Sequence, residues 1–195
     1  MSGTALTDRF DEAIKLATDL HRQQRRKGGD VPYMAHLLQV AGLVLEFGGD
    51  EDTAIAALLH DAVEDQGGTA TDLLIRKRFG DAVANVVLEC SDSVGDPKPA
   101  WGVRKEEFIA SIPALSPAAR LVSLADKMHN VRSITADYRQ NGDRAWDHFK
   151  GKREGTLWYY RQVTAAFRAA GNDFLVGELE RGLQELLALT GESKF

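Results

Sequence analysis

Cysteine occurs once in the 195 residues, proline five times, and aromatic residues make up only 8%. The lone Cys90 has no partner for an internal disulfide, which suits a reducing, cytoplasmic setting. A small side chain buried on a helix is its simplest role. No apolar run approaches the roughly 20 residues that a bilayer span requires. The opening MSGTALTDRFDEAIK brings acids early and has no apolar signal core, so neither export nor membrane anchoring is expected. A basic excess is missing too: 24 Lys and Arg stand against 29 Asp and Glu, a formal net charge of −5. That balance argues against a nucleic-acid binder working by phosphate neutralisation. The alternating β-branched runs that mark strands are also lacking. What is present is 44% hydrophobic and 27% charged residues, an ordinary globular mixture at a length that suits one domain.

Helical periodicity dominates. Phe10, Ile14, Leu16, Ala17 and Leu20 recur at three- and four-residue spacing, predicting a helix over 6–21. The cationic stretch HRQQRRKGGD follows, with Gly28 and Gly29 as helix terminators. Pro32 opens a helix over about 33–47, ended by Gly48 and Gly49. Asp50 is an N-cap for a helix running through DTAIAALLHDAVED. Gly67, Gly68 and Gly80 then punctuate a helix over 69–79, with Asp81 capping another to about Cys90. The segment SDSVGDPKPAWG reads as a loop. Further helices are predicted over about 103–111, from Ser116-Pro117 through ARLVSLADKMHNVRSI, and over about 143–149, 155–170 and 174–189. The expectation is an all-α bundle of about nine or ten helices.

LLHDAVEDQGG holds the chemistry. Along one helix, His60, Asp61, Glu64 and Asp65 would fall at roughly 0°, 100°, 40° and 140°. The residues before them are strongly apolar, so this arc would sit at the inner end of a buried helix. Carboxylates there need a cation or firm hydrogen bonds. The alternative is a solvated helix end with Glu64 and Asp65 exposed. His36 lies on an otherwise apolar helix, where a core histidine bonded to a backbone carbonyl is the plainer role. Asp126 ends another apolar stretch, with Asn130 one turn on, and by itself reads as a buried structural aspartate. Taken together, two imidazoles and two carboxylates can form an octahedral N/O site with positions open to water and substrate.

This order, a lone His, an adjacent His-Asp and a distant Asp, resembles the HD superfamily of metal-dependent phosphohydrolases. More closely, the blocks HRQQRRKGGDVPYMAH, AALLHDAVEDQGGT, RFGDAVANVV and RLVSLADKMHNVRSI resemble the (p)ppGpp hydrolase domain of the RelA/SpoT family in its small stand-alone form. The resemblance implies a single HD domain over 1–195, with a motif core over about 13–134 and C-terminal helices over about 143–190. It implies that His36, His60, Asp61 and Asp126 hold a divalent metal, usually manganese, and that Glu64 and Asp65 orient and deprotonate the attacking water. Arg26 and Lys27 match a pair that packs against purine and phosphates, and Asn130 matches a nucleoside contact. Lys98 corresponds to a phosphate-binding lysine, and Tyr160 is placed by the ribose or base.

The implied activity is removal of the 3′-pyrophosphate from ppGpp-like guanosine nucleotides. The alternatives are the same chemistry on another nucleotide (the 2′-phosphate of NADPH, or a nucleoside mono- or triphosphate) and a non-catalytic nucleotide sensor. The expected partner is a small nucleotide, with no nucleic acid and no membrane; the sequence leaves the oligomeric state open, a homo-oligomer included. Of the other histidines, His21 is expected to serve packing or the loop, His129 to support Asp126 or to be structural, and His148 to be exposed.

Overall fold

A computed structural model describes residues 4–93, 97–171 and 173–192. Among them are ten α-helices and two short 3-10 helices, with no strand beyond an isolated bridge between Arg25 and Pro32. None of these helices is long and apolar enough to cross a membrane. The residues form two compact units: Met1–Pro99 with Leu115–Ala125, and Ala100–Ala114 with Asp126–Phe195. The boundary falls inside one unbroken helix.

The first unit is built around α3 (Glu51–Leu59), whose residues 53–59 are all buried. Asp50 caps it as expected, its Oδ1 accepting from the Thr53 backbone N–H at 2.9 Å. Ala54, Ala56 and Ala57 keep the helix narrow, so α2 (Met34–Glu46), α1 (Asp8–His21) and α6 (Asp81–Cys90) all pack on it. Ile55, Leu58 and Leu59 are fully buried there, each worth about 1.5–3 kcal/mol of hydrophobic stabilisation. Gly48 and Gly80 occupy left-handed conformations, φ +86° and +90°, which close α2 and α5 (Thr69–Phe79).

Several details differ from the sequence expectation. The helix expected through His60 to Asp65 is broken: α3 ends at Leu59, His60 and Asp61 form a turn, and a four-residue α4 (Ala62–Asp65) follows. The first helix ends at His21 as expected, but Gly28 and Gly29 do not terminate it: the chain turns back seven positions before Gly28, and Arg26 N–H bonds to the Val31 carbonyl at 2.9 Å. Trp101 and Gly102, expected in the loop, already belong to α7 (Trp101–Ser111).

The second unit holds α7, the later part of α8 (Pro117–Asn141), α9 (Lys152–Ala169) and α10 (Asp173–Leu189). The expected cap is present at the start of α8, where the Ala119 N–H donates to Ser116 Oγ at 3.2 Å. The stretch expected to be helical over 143–149 is a 3-10 helix, Gly142–His148, and α9 begins three residues earlier than expected. In this unit Trp101 lies against Gly151 and Gly155, and its ring meets Trp158 and Tyr159 edge-on.

Candidate active site

His36 sits on the first turn of α2 and is 1% exposed. The turn before it is tied by the His36 N–H bonding to the Tyr33 carbonyl at 2.9 Å. His60 follows the last residue of α3, so the most buried helix of the unit delivers it to the interior. Its Nδ1 lies 2.8 Å from the Ala57 carbonyl. A carbonyl only accepts, so the ring proton is on Nδ1 and Nε2 presents a lone pair. That Nε2 is 3.1 Å from Asp61 Oδ2, and His36 Nε2 is 3.6 Å from the same oxygen. The two rings meet edge-on with centroids 5.3 Å apart.

Asp126 directly follows Ala125, the last residue of the first unit, with no interruption of α8. It is buried. Its Oδ1 accepts from Asn130 Nδ2 at 2.5 Å and its Oδ2 from Lys127 Nζ at 2.6 Å. One ligand atom each from His36, His60 and Asp126 lie within 4.8 Å of one another. Donors held by one ion through bonds of about 2.0–2.2 Å lie no further apart than slightly beyond 4 Å. The cluster is close to the spread that one divalent cation would draw together. The chemistry fits as well: an imidazole already committed to the Nδ1–H tautomer, a second imidazole beside it, the half-buried carboxylate of Asp61 and the buried one of Asp126.

Asp61 lies in the turn between α3 and α4, with its backbone still in the right-handed helical region. Its Oδ2 also accepts from the Tyr33 hydroxyl at 2.6 Å. Tyr33 was not among the residues singled out from the sequence. The available signal was its position one turn ahead of His36.

Glu64 and Asp65 come from α4. Glu64 Oε1 is 3.2 Å from Lys98 Nζ, and its Oε2 accepts from the Asp92 backbone N–H at 3.2 Å. Asp65 Oδ1 is 3.5 Å from the same ammonium, and its Oδ2 accepts from Gln24 Nε2 at 2.9 Å. Lys98 thus lies directly against the carboxylate pair. Its side chain is 38% exposed, so the ion pairs matter for placement more than for stability.

Arg26 lies next to the 25–32 bridge, its guanidinium carbon 5.6 Å from the Tyr33 ring centroid, and Lys27 is exposed beside the turn glycine Gly28. His21 is buried and stacks on the other ring partner, Tyr33, at 5.3 Å. Burial holds its imidazole below the ordinary histidine value, against the raising pull of the Gln24 hydrogen bond and of Asp61 and Asp65. His148 is exposed, as expected, and Cys90 is half-buried at the end of α6. Asn130 is half-buried on α8. Tyr160 is buried within the second unit, edge-on to Tyr159.

Comparison with known proteins agrees with this chemistry. Residues 13–157 match a family model described as HD domain. The guanosine-3′,5′-bis(diphosphate) 3′-pyrophosphohydrolase MESH1 of Xenopus tropicalis is 42% identical over 126 residues, spanning 63% of this chain and 68% of that protein. Its human counterpart is 39% identical over the same length and coverage. A probable GTP pyrophosphokinase of Mycobacterium leprae is 37% identical over 124 residues, only 15% of its own length. Among solved structures, a metazoan ortholog of SpoT described as hydrolysing ppGpp superposes with a TM-score of 0.75 at 29% identity, covering 97% of this chain and 99% of that one. A Listeria monocytogenes protein superposes with a TM-score of 0.67 at 28% identity, covering 80% and 97%.

Proposed function

The chain belongs to the HD-domain family, and we propose that within it this member is a divalent-metal-dependent hydrolase that releases the 3′-pyrophosphate of ppGpp-like guanosine nucleotides. The observation that carries the reading is Asp61 Oδ2 lying 3.1 Å and 3.6 Å from two buried imidazole nitrogens, with the Glu64–Asp65 pair on the next helical turn. Relatives that carry the name of this activity support the choice of substrate.

His36, His60, Asp61 and Asp126 would hold the ion, and manganese is the ion we propose. A divalent cation in such a site lowers the pKa of a coordinated water and offsets phosphate charge. The remaining work falls to the protein's own side chains. Glu64 accepts the proton of the attacking water on a carboxylate oxygen, and Asp65 orients that water from the opposite side. The water oxygen bonds to the phosphorus next to the ribose, the bond from that phosphorus to the 3′ oxygen breaks, and the freed oxygen takes up a proton. Arg26, Lys27 and Lys98 supply cations for the polyphosphates of substrate and product in a protein that is acidic overall. Asn130 and Tyr160 are assigned to the nucleoside.

The deciding experiment is incubation of manganese-loaded protein with ppGpp, NADPH and GTP in parallel, with separate assays for pyrophosphate and orthophosphate. Pyrophosphate from ppGpp is expected. Orthophosphate from NADPH alone would move the activity to a 2′-phosphate, and no release from any of them would favour a nucleotide sensor.

A further inference from the structure

Gln24 lies in the turn after α1, outside every residue assigned above. Its backbone carbonyl accepts from the Tyr33 N–H at 3.0 Å, and its own N–H bonds to the His21 carbonyl at 3.0 Å. Its side chain makes three contacts. Nε2 is 2.9 Å from Asp65 Oδ2, and Oε1 is 2.7 Å from Gln66 Nε2 and 2.5 Å from His21 Nδ1.

These contacts admit one orientation of the amide. An ionised Asp65 only accepts, so the NH2 group must face it. Oε1 then accepts from Gln66 and from His21, which fixes the proton of His21 on Nδ1. His21 is 1% exposed and stacked on Tyr33, so the oxygen end of the amide is anchored to a side chain that has little room to move. The nitrogen end meets the last residue of a four-residue helix, α4. Asp65 is exposed and its other oxygen is met by Lys98 at 3.5 Å. A carboxylate at the end of so short a helix, held on one side by a long contact, has little else to restrict its rotamer.

We propose that Gln24 is a positioning residue: its amide, anchored by His21 and Gln66, fixes the rotamer of Asp65 for the hydrolytic step. This rests on the hydrolase reading for the meaning of Asp65, and the geometric part stands apart from it. Through its backbone the same residue also ties down Tyr33, whose hydroxyl reaches Asp61. A single turn residue thereby connects both halves of the site.

The test combines kinetics with a rotamer measurement on the 195-residue chain. Gln24→Met keeps the length of the side chain and removes its hydrogen bonds. With ppGpp as substrate, Q24M is expected to lower kcat about 10- to 100-fold, as misplacement of a reacting group typically does, with KM within about twofold. In an Asp65→Asn background the same change should cost almost nothing further, because the group it positions has already been replaced. Losses that multiply in the Q24M/D65N double variant would overturn the proposal. Three-bond side-chain couplings of Asp65 measured by NMR provide a reading independent of turnover. One χ1 rotamer is expected in the parent protein and rotamer averaging in Q24M, and a single unchanged rotamer in both would refute the proposal. If the parent chain releases nothing from ppGpp, the hydrolase reading fails while the couplings still decide the role of Gln24.

Discussion

The Tyr33 hydroxyl donates to Asp61 Oδ2 at 2.6 Å, the same oxygen that lies 3.1 Å from His60 Nε2. One carboxylate oxygen is thereby aimed by a phenol on one element and directed at an imidazole on another. Outer partners of this kind commonly change metal affinity 10- to 100-fold when removed. Tyr33→Phe keeps the ring that stacks on His21 and deletes only the donor. We expect a manganese dissociation constant raised by about that factor with an almost unchanged thermal midpoint, measured by calorimetric titration and a circular-dichroism melt.

Glu64→Gln keeps the size of the side chain and removes the proton acceptor. It should bind manganese and nucleotide as the parent does and lower kcat by about 10²–10⁴-fold, the usual worth of acid–base assistance. Steady-state kinetics at saturating ppGpp read this directly, and parent-level turnover would remove Glu64 from the mechanism.

The N-cap of α3 gives a prediction about pH. The Thr53 hydroxyl and backbone N–H both donate to Asp50, holding its carboxyl below the ordinary aspartate value. A lowered folded-state pKa stabilises the fold above the unfolded aspartate pKa, and that stability is lost as the pH falls through the folded value. Asp50→Ala should therefore cost about 1 kcal/mol near neutrality. The difference from the parent should shrink toward the loss of the neutral cap once the medium is well below about pH 4. Urea unfolding at neutral and acid pH measures both.

Gly49 tests packing. It has no left-handed φ, so the backbone tolerates a side chain, but an added Cβ would lie 2.5 Å from Val44 Cγ1 and 2.9 Å from the Val44 carbonyl oxygen. Backbone cannot give way as a flexible side chain can. Gly49→Ala is expected to destabilise by about 1–3 kcal/mol, the usual cost of overpacking, read as a shift in the urea midpoint.

Much of the helical layout was legible because glycine, proline and capping side chains mark its boundaries. Asp50, Ser116, Gly48 and Gly80 all sit at helix ends. The break at His60–Asp61 was not legible, since LLHDAV continues the apolar pattern through it with neither glycine nor proline. Periodicity reports which side of a helix is buried; it does not report that α3 ends at Leu59 and a separate short helix begins at Ala62. The four proposed ligands were legible as a pattern, and three of them, His36, His60 and Asp126, offer ligand atoms in one cluster. Tyr33 and Gln24 escaped notice because their work is done by hydrogen bonds across 28 and 41 positions of sequence, which neither spacing nor composition encodes.

The measurement closest to the centre of the account is manganese binding to the parent chain and to single alanine variants of His36, His60, Asp61 and Asp126, with His148→Ala as an exposed control. One ion per chain is expected for the parent and the control, with binding lost or severely weakened in each of the four. Unchanged stoichiometry and affinity across those four variants would contradict the metal centre, and with it the hydrolytic chemistry built upon it.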